Sequence, residues 1–186
     1  MQGIVFLLQE MNAMRIFLIG FMGSGKSHTG RRLAAALGYR FQDLDDWIAK
    51  QAQRSIPQIF EQDGELGFRK IEQAALHDMA AFEQVVVACG GGTPCFFDNM
   101  SWMNQNGTTV FLQTPVEILL KRLQKGKHQR PLLKDKTEEA LLDFIQQKLN
   151  ERLPYYEKAS IIQEQRTINQ DVAADLLKYF TNMKGH

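Results

Sequence analysis

The chain has 186 residues, 44% of them hydrophobic, with 22 Lys and Arg against 21 Asp and Glu for a net charge of +1. That length suits one α/β domain with a full core, and the even charge excludes a surface built to wrap nucleic acid or to adhere to an acidic membrane. Two cysteines, Cys89 and Cys95, and four scattered histidines show neither metal-ligand spacing nor a disulfide framework, so a reducing cytoplasm is the expected compartment.

Residues 1–13, MQGIVFLLQEMNA, hold a short apolar run without a positive leading region, a cleavage site or the length to span a bilayer. They read as an N-terminal extension ahead of a single domain over 14–186, for which Met14 before RIFLIG is a natural beginning. No later run approaches the length of a membrane span. Apolar runs predict strands over 15–20, 39–43, 84–89, 108–113 and 159–163, and helical spacing predicts helices over 26–37, 44–53, 64–82, 115–124, 137–151 and 169–181. Strands alternating with helices mark an α/β fold, a parallel sheet with helices on both faces. Cys89 reads as a small apolar residue at the end of the third strand.

Between the first strand and the first helix stands GFMGSGKS, Gly20 to Ser27, a complete Gly-x-x-x-x-Gly-Lys-Ser phosphate loop. Its glycines let backbone N–H groups turn inward around phosphate oxygens, Lys26 can reach the outer phosphates, and the Ser27 hydroxyl can ligate Mg²⁺ at a helix N-terminus. Such a loop requires a carboxylate near the metal. The third strand runs into Cys89 and three glycines instead of an Asp, and no Asn-Lys-x-Asp guanine signature occurs. The acids available are Asp43, Asp45 and Asp46 in FQDLDDW, and the carboxyl end of the second strand would deliver Asp43 and Asp45 beside the loop. One could then stand near Mg²⁺ while the other meets an acceptor hydroxyl. Helix capping by Asp43 or Asp45 is the plainer reading, and one Asp can do both jobs.

In GELGFRKIE, residues Glu65, Phe68, Arg69 and Glu72 fall on one helical face, which suits a pocket wall or, more plainly, a surface Glu65–Arg69 pair. A second guanidinium, Arg152, comes in ERLPYYEKA; two Arg forks can grip a carboxylate bidentately and so select an anionic acceptor. Gly90, Gly91 and Gly92 allow close approach to backbone N–H groups, or form a bare tight turn. The stretch KGKHQRPLLKDK, 125–136, is either a solvated basic loop or a mobile lid closing over phosphates, the reading favoured by the phosphate loop.

Taken in order, GFMGSGKS, DLD, GELGFRKIE, CGGG, RPLL and ERLPYYE resemble the motif series of the shikimate kinase family from about Met14 to Phe180. The resemblance implies a three-layer P-loop fold with a five-stranded parallel sheet in the order 2-3-1-4-5, a lid over about 122–136 and a substrate-binding region over about 44–72. It implies transfer of the ATP γ-phosphoryl group to the 3-hydroxyl of shikimate, in the pathway to chorismate and the aromatic amino acids, by a cytoplasmic monomer with Mg²⁺ as cofactor. Gly23, Ser24, Gly25, Lys26, Ser27 and His28 would wrap the ATP phosphates, His28 standing where the family usually carries Thr. Ser27 would ligate the metal and Asp43 would support it through water. Asp45 would grip the shikimate hydroxyls as the candidate base, and Arg69 and Arg152 would hold the carboxylate. Gly90, Gly91 and Gly92 would meet the ring hydroxyls, Phe60 and Phe68 the carbocycle, while Glu72 orients Arg69. Lys26 and Arg130 would stabilise the charge of phosphoryl transfer, Arg130 from the lid. Adenine contacts are open among Arg122, Gln165 and Arg166. A gluconate kinase, which carries a His-Pro absent after DLDD, a non-catalytic nucleotide or metabolite sensor and a nucleic-acid binder are the alternatives. The intact Lys26, Asp45 and Arg set opposes the sensor, and the lack of a basic face with interleaved aromatics opposes the last.

Overall fold

The structure, a computed structural model, describes residues 15–125 and 136–183. Residues 1–13 and Arg130, with most of the segment expected to form a lid, lie outside that range. Strands β1 (Arg15–Ile19), β2 (Arg40–Asp43), β3 (Val85–Ala88), β4 (Thr108–Gln113) and β5 (Ile161–Glu164) pair in parallel in the order β2-β3-β1-β4-β5. The helices are α1 (Lys26–Leu37), α2 (Leu44–Ala52), α3 (Ile56–Asp78), α4 (Asn99–Asn106), α5 (Val116–Lys125), α6 (Glu138–Tyr156) and α7 (Val172–Met183).

Period-two alternation in the central strands builds the layers. Phe17, Ile19, Val85, Val87 and Phe111 point to one face and pack against Ile48, Phe68, Leu76, Met103 and Tyr156 from α2, α3, α4 and α6. Ile16, Leu18, Val86, Val110 and Leu112 point to the other and meet Leu33 of α1 and Val172, Leu176 and Phe180 of α7. Because both faces are covered, β1 and β3 read as near-continuous apolar runs instead of alternating ones. A third cluster, Phe21 with Leu119, Leu123, Leu141 and Ile145, fixes α5 and α6 against the end of β1. Among the described residues no helix is long and apolar enough to cross a membrane.

The five strands stand where the sequence predicts them to within two residues at either end, and the sheet order is the expected one. Three points of the helical reading need correction. The helix expected over 64–82 starts at Ile56, where Ser55 closes a capping box with Gln58 and Pro57 occupies the first turn, and it ends at Asp78. Gly64, at φ 68° and ψ −177°, divides it into two helical segments. Helix α4 was not expected, since NMSWMNQN carries little apolar periodicity. Helix α6 runs on past the expected end at 151 through Pro154 to Tyr156.

Candidate active site

Strands β1, β2 and β3 each deliver part of the site from the carboxyl end. After β1 the chain turns through Gly20–Gly25 into α1, with Gly25 at φ 92° in the left-handed conformation that brings the loop into the helix. A cleft of about 460 Å³ opens over this loop, lined among others by Gly25, Lys26, Ser27, Asp43, Asp45 and Gly91. His28 lines it as well, exposed in the first turn of α1. The Lys26 ammonium donates to the carbonyls of Gly20 at 2.9 Å and Phe21 at 3.0 Å. Burial within the loop pulls it down to about 8, against the opposing pull of Asp45 and Asp43. Ser24 is buried in the turn, and its hydroxyl finds no partner among the described residues.

Ser27 Oγ donates to Asp43 Oδ2 at 2.6 Å, while Asp43 Oδ1 accepts from the Asp45 amide at 3.2 Å and so caps α2. Asp43 therefore caps α2 with one oxygen and holds the Ser27 hydroxyl with the other. A hydroxyl and a carboxylate side by side form a hard oxygen pair suited to Mg²⁺, which takes few protein ligands and fills its shell with water and phosphate. Among the described residues no cluster of three His, Cys, Asp or Glu could cage a metal. Asp45, in the first turn of α2, lines the cleft and is exposed to solvent there. Burial, then Asp43 and Glu72, raise its carboxyl to about 6, with Lys26 opposing.

The far wall is α3 and the turn after β3. Arg69 is 8% exposed; its Nη1 donates to Glu72 Oε2 at 2.8 Å and its Nη2 to Glu65 Oε1 at 3.3 Å, while Nε finds no partner among the described residues. Phe96 lies 4.1 Å from the guanidinium carbon, centroid to carbon, and Phe60 stacks on Phe68 at 4.4 Å with Phe60 partly open to solvent. Of the predicted helical face, Phe68, Arg69 and Glu72 turn inward and Glu65 stays exposed. The three glycines serve packing: a methyl group on Gly92 would sit 2.7 Å from Arg69 Nη2, on Gly91 3.1 Å from Arg152 Nη1, and on Gly90 2.9 Å from Glu72 Oε1. Both guanidiniums thus rest on one turn of backbone. Arg152 is brought there by α6, whose Tyr156, one turn on, donates its hydroxyl to the Gly91 carbonyl at 2.5 Å.

Sequence reasoning missed Tyr156, in ERLPYYE, and Thr93, the residue after CGGG, because a hydroxyl acting through a neighbour leaves no spacing signal. Arg122 is helical, in the last turn of α5, and donates from Nη1 to the Gly23 carbonyl at 3.1 Å and to Gln165 Oε1 at 3.0 Å. Two of the three open adenine candidates thereby stand together beside the phosphate loop, whereas Arg166 is exposed and pairs with Glu164 at 3.5 Å. Cys89 is buried with its Sγ 3.7 Å from Met103 Sδ, as a small core residue should be.

This arrangement has counterparts. A family model described as shikimate kinase matches residues 22–181. The shikimate kinase of Parabacteroides distasonis is 50% identical over 147 residues, covering 79% of this chain and 85% of the relative. The crystal structure of the shikimate kinase of Bacteroides thetaiotaomicron superposes with a TM-score of 0.86 at 38% identity, over 93% of this chain and 99% of that one. The shikimate kinase of Acinetobacter baumannii, solved in complex with shikimate, gives 0.79 at 36% identity over 92% and 93%. A family match that runs from within the phosphate loop across the DLD acids, both arginines and the glycine turn means that this chain belongs to the shikimate kinase family.

Proposed function

We propose that the chain is an ATP-dependent kinase that phosphorylates the 3-hydroxyl of shikimate to shikimate 3-phosphate, in the route to chorismate and the aromatic amino acids. The observation that carries this reading is the single turn Gly90–Gly92, at the edge of a phosphate-loop cleft, where added methyl groups would fall within 3.3 Å of Asp45, Glu72, Arg69 and Arg152. A hydroxyl acceptor with its own carboxylate fits that geometry: the two forks hold the carboxylate, and the hydroxyl faces Asp45 and the phosphates. Gluconate also carries a carboxylate, but Phe60 and Phe68, stacked on each other next to Arg69, are proposed to pack against a carbocycle.

Gly23, Ser24, Gly25 and His28 are proposed to turn backbone N–H groups onto the ATP phosphates, while Lys26 exchanges its two loop carbonyls for phosphate oxygens. Ser27 would hold Mg²⁺ directly and Asp43 through water; the ion, when bound, supplies charge neutralisation between the phosphates. Asp45 orients the acceptor hydroxyl and takes its proton as the bond to phosphorus forms. Glu72 keeps Arg69 aimed. Arg130 is proposed to meet the transferring group. A cytoplasmic monomer is the assembly we propose.

Release of ADP is the test, with ATP and Mg²⁺ and with shikimate, gluconate or quinate as acceptor. Turnover is expected with shikimate alone; turnover with gluconate, or hydrolysis independent of acceptor, overturns the reading. Asp45→Asn keeps the shape and removes the charge, so turnover is expected to fall by about a hundredfold or more with ATP binding near normal. Arg69→Ala should weaken the acceptor far more than ATP, and equal effects on both would argue against the carboxylate clamp.

A further inference from the structure

Behind the arginine that faces the acceptor lies a buried polar chain that leads away from the cleft. Arg69 Nη1 donates to Glu72 Oε2 at 2.8 Å; the other oxygen, Oε1, accepts from Thr93 Oγ1 at 2.6 Å; and the Thr93 carbonyl accepts from Asn99 Nδ2 at 2.9 Å. Glu72 is 1% exposed, and Thr93 and Asn99 are fully buried. A carboxylate so enclosed must have donors for both oxygens or carry a large desolvation cost. Thr93 supplies the second donor, and Asn99, in the first turn of α4, holds the Thr93 backbone in place from behind.

We propose that Thr93 is a positioning residue for the acceptor carboxylate, acting through Glu72 on Arg69, with Asn99 as the anchor of the relay. The physical argument concerns competition for the guanidinium. With Thr93 in place, Glu72 spends one oxygen on the hydroxyl and one on Arg69, which leaves Arg69 with donors that Glu72 does not take: Nη2, only loosely paired with Glu65 at 3.3 Å, and the unpartnered Nε. Among the described residues Thr93 is the side chain that donates to Oε1; without that hydroxyl the carboxylate turns both oxygens onto the guanidinium it already holds, as a bidentate pair. The fork is then satisfied internally and the acceptor loses its partner. Asp45 and Thr93 both lie within 3.3 Å of the position a Gly90 methyl group would take, so this rearrangement occurs at the wall of the acceptor site and not in the remote core.

The proposal rests on the reading of Arg69 as the carboxylate clamp. It is tested by steady-state kinetics of Thr93→Val and Thr93→Ser with shikimate and with its methyl ester, alongside thermal unfolding. Thr93→Val is expected to raise the KM for shikimate about tenfold, the effect of one hydrogen bond to a charged group, with kcat and the KM for ATP within about twofold of the parent. Thr93→Ser, which keeps the hydroxyl, should restore the parent value. With the methyl ester the Val variant should match the parent, since there is no carboxylate to lose. An unchanged KM for shikimate in Thr93→Val overturns the relay, and so does an equal loss on acid and ester, which would make Thr93 a structural residue only. Should the Val variant fail to fold, Thr93→Ala removes the same hydroxyl without added bulk and is read identically. A parent enzyme that uses acid and ester equally well would instead overturn the clamp reading itself.

Discussion

Two side chains of the cleft sit away from their ordinary titration ranges in opposite directions, and together they bound the pH range of the free enzyme. Asp45 must be ionised to receive a proton, and its carboxyl is raised to about 6, so kcat/KM should rise as pH increases through 6. Lys26 must be charged to draw phosphate, and its ammonium is lowered to about 8, so kcat/KM should fall as pH increases through 8. A bell with limbs near these values is expected. Lys26→Arg should keep the acid limb and lose the alkaline one in whatever activity remains, because a guanidinium does not deprotonate in this range; an alkaline limb that stays near 8 in this variant would assign it to another group. At this scale the sequence was informative about identity and poor about coupling. The residue types and their spacing named Lys26, Ser27, Asp43, Asp45, Arg69 and Arg152, since phosphate, metal and carboxylate each demand particular chemistry. Nothing in a linear pattern could say that Ser27 and Asp43 bond at 2.6 Å, that Glu72 pushes Asp45 upward, or that Tyr156 ties Arg152 to Gly91.

Among elements, α3 carries most of what the sequence did not reveal. Its apolar and charged periodicity from Glu65 onward was legible, but Gly64 suggested a start where there is only a bend. The true start at Ser55 had a signal, the Ser-x-x-Gln box with Pro57, which the short apolar pattern of 56–63 obscured. The bend matters because it sets the direction from which Phe60 meets Phe68 and from which Arg69 enters the site. Gly64 has φ 68° with ψ near 180°, a region open to glycine and closed to other residues, while a methyl group there would touch nothing within 4 Å. The effect of Gly64→Ala is therefore one of backbone strain alone. It should lower the unfolding free energy by about 1–3 kcal/mol in urea titration. The KM for shikimate should rise with it as the Arg69 segment shifts. Unchanged stability would mean that the segment relaxes into a straight helix without loss. Arg54, which donates to Gln62 at 2.8 Å and to Asp63 at 2.8 Å, braces the same bend from the residue before the cap.

At the scale of the whole molecule the sheet order explains why motifs scattered from Gly20 to Tyr156 share one site. With β1 central and all strands parallel, the chain leaves β1, β2 and β3 at the same edge, so the phosphate loop, Asp43 and the glycine turn are neighbours by topology. The parallel sheet was legible because β1, β3 and β4 are compact apolar runs, and its order is the one the family resemblance implies; α4, without such a run, escaped notice. The same topology bears on how the protein unfolds. Strand β4 gives Phe111 to one core cluster and Val110 and Leu112 to the opposite one. Helix α6 gives Tyr156 to the first cluster and Leu141 and Ile145 to the third. No cluster can melt without stripping residues from another, so we expect the described residues, 15–125 and 136–183, to unfold as one cooperative unit with equal calorimetric and van't Hoff enthalpies. Ligands held in the cleft touch loops leaving three strands and should stabilise that whole unit: nucleotide at a hundred times its dissociation constant should add about 2.7 kcal/mol. Scanning calorimetry with and without ATP, Mg²⁺ and shikimate checks both expectations. Two resolved transitions, of which ligand moves only one, would mean that the substrate-binding region over about 44–72 folds apart from the sheet and would separate acceptor binding from the stability of the phosphate loop.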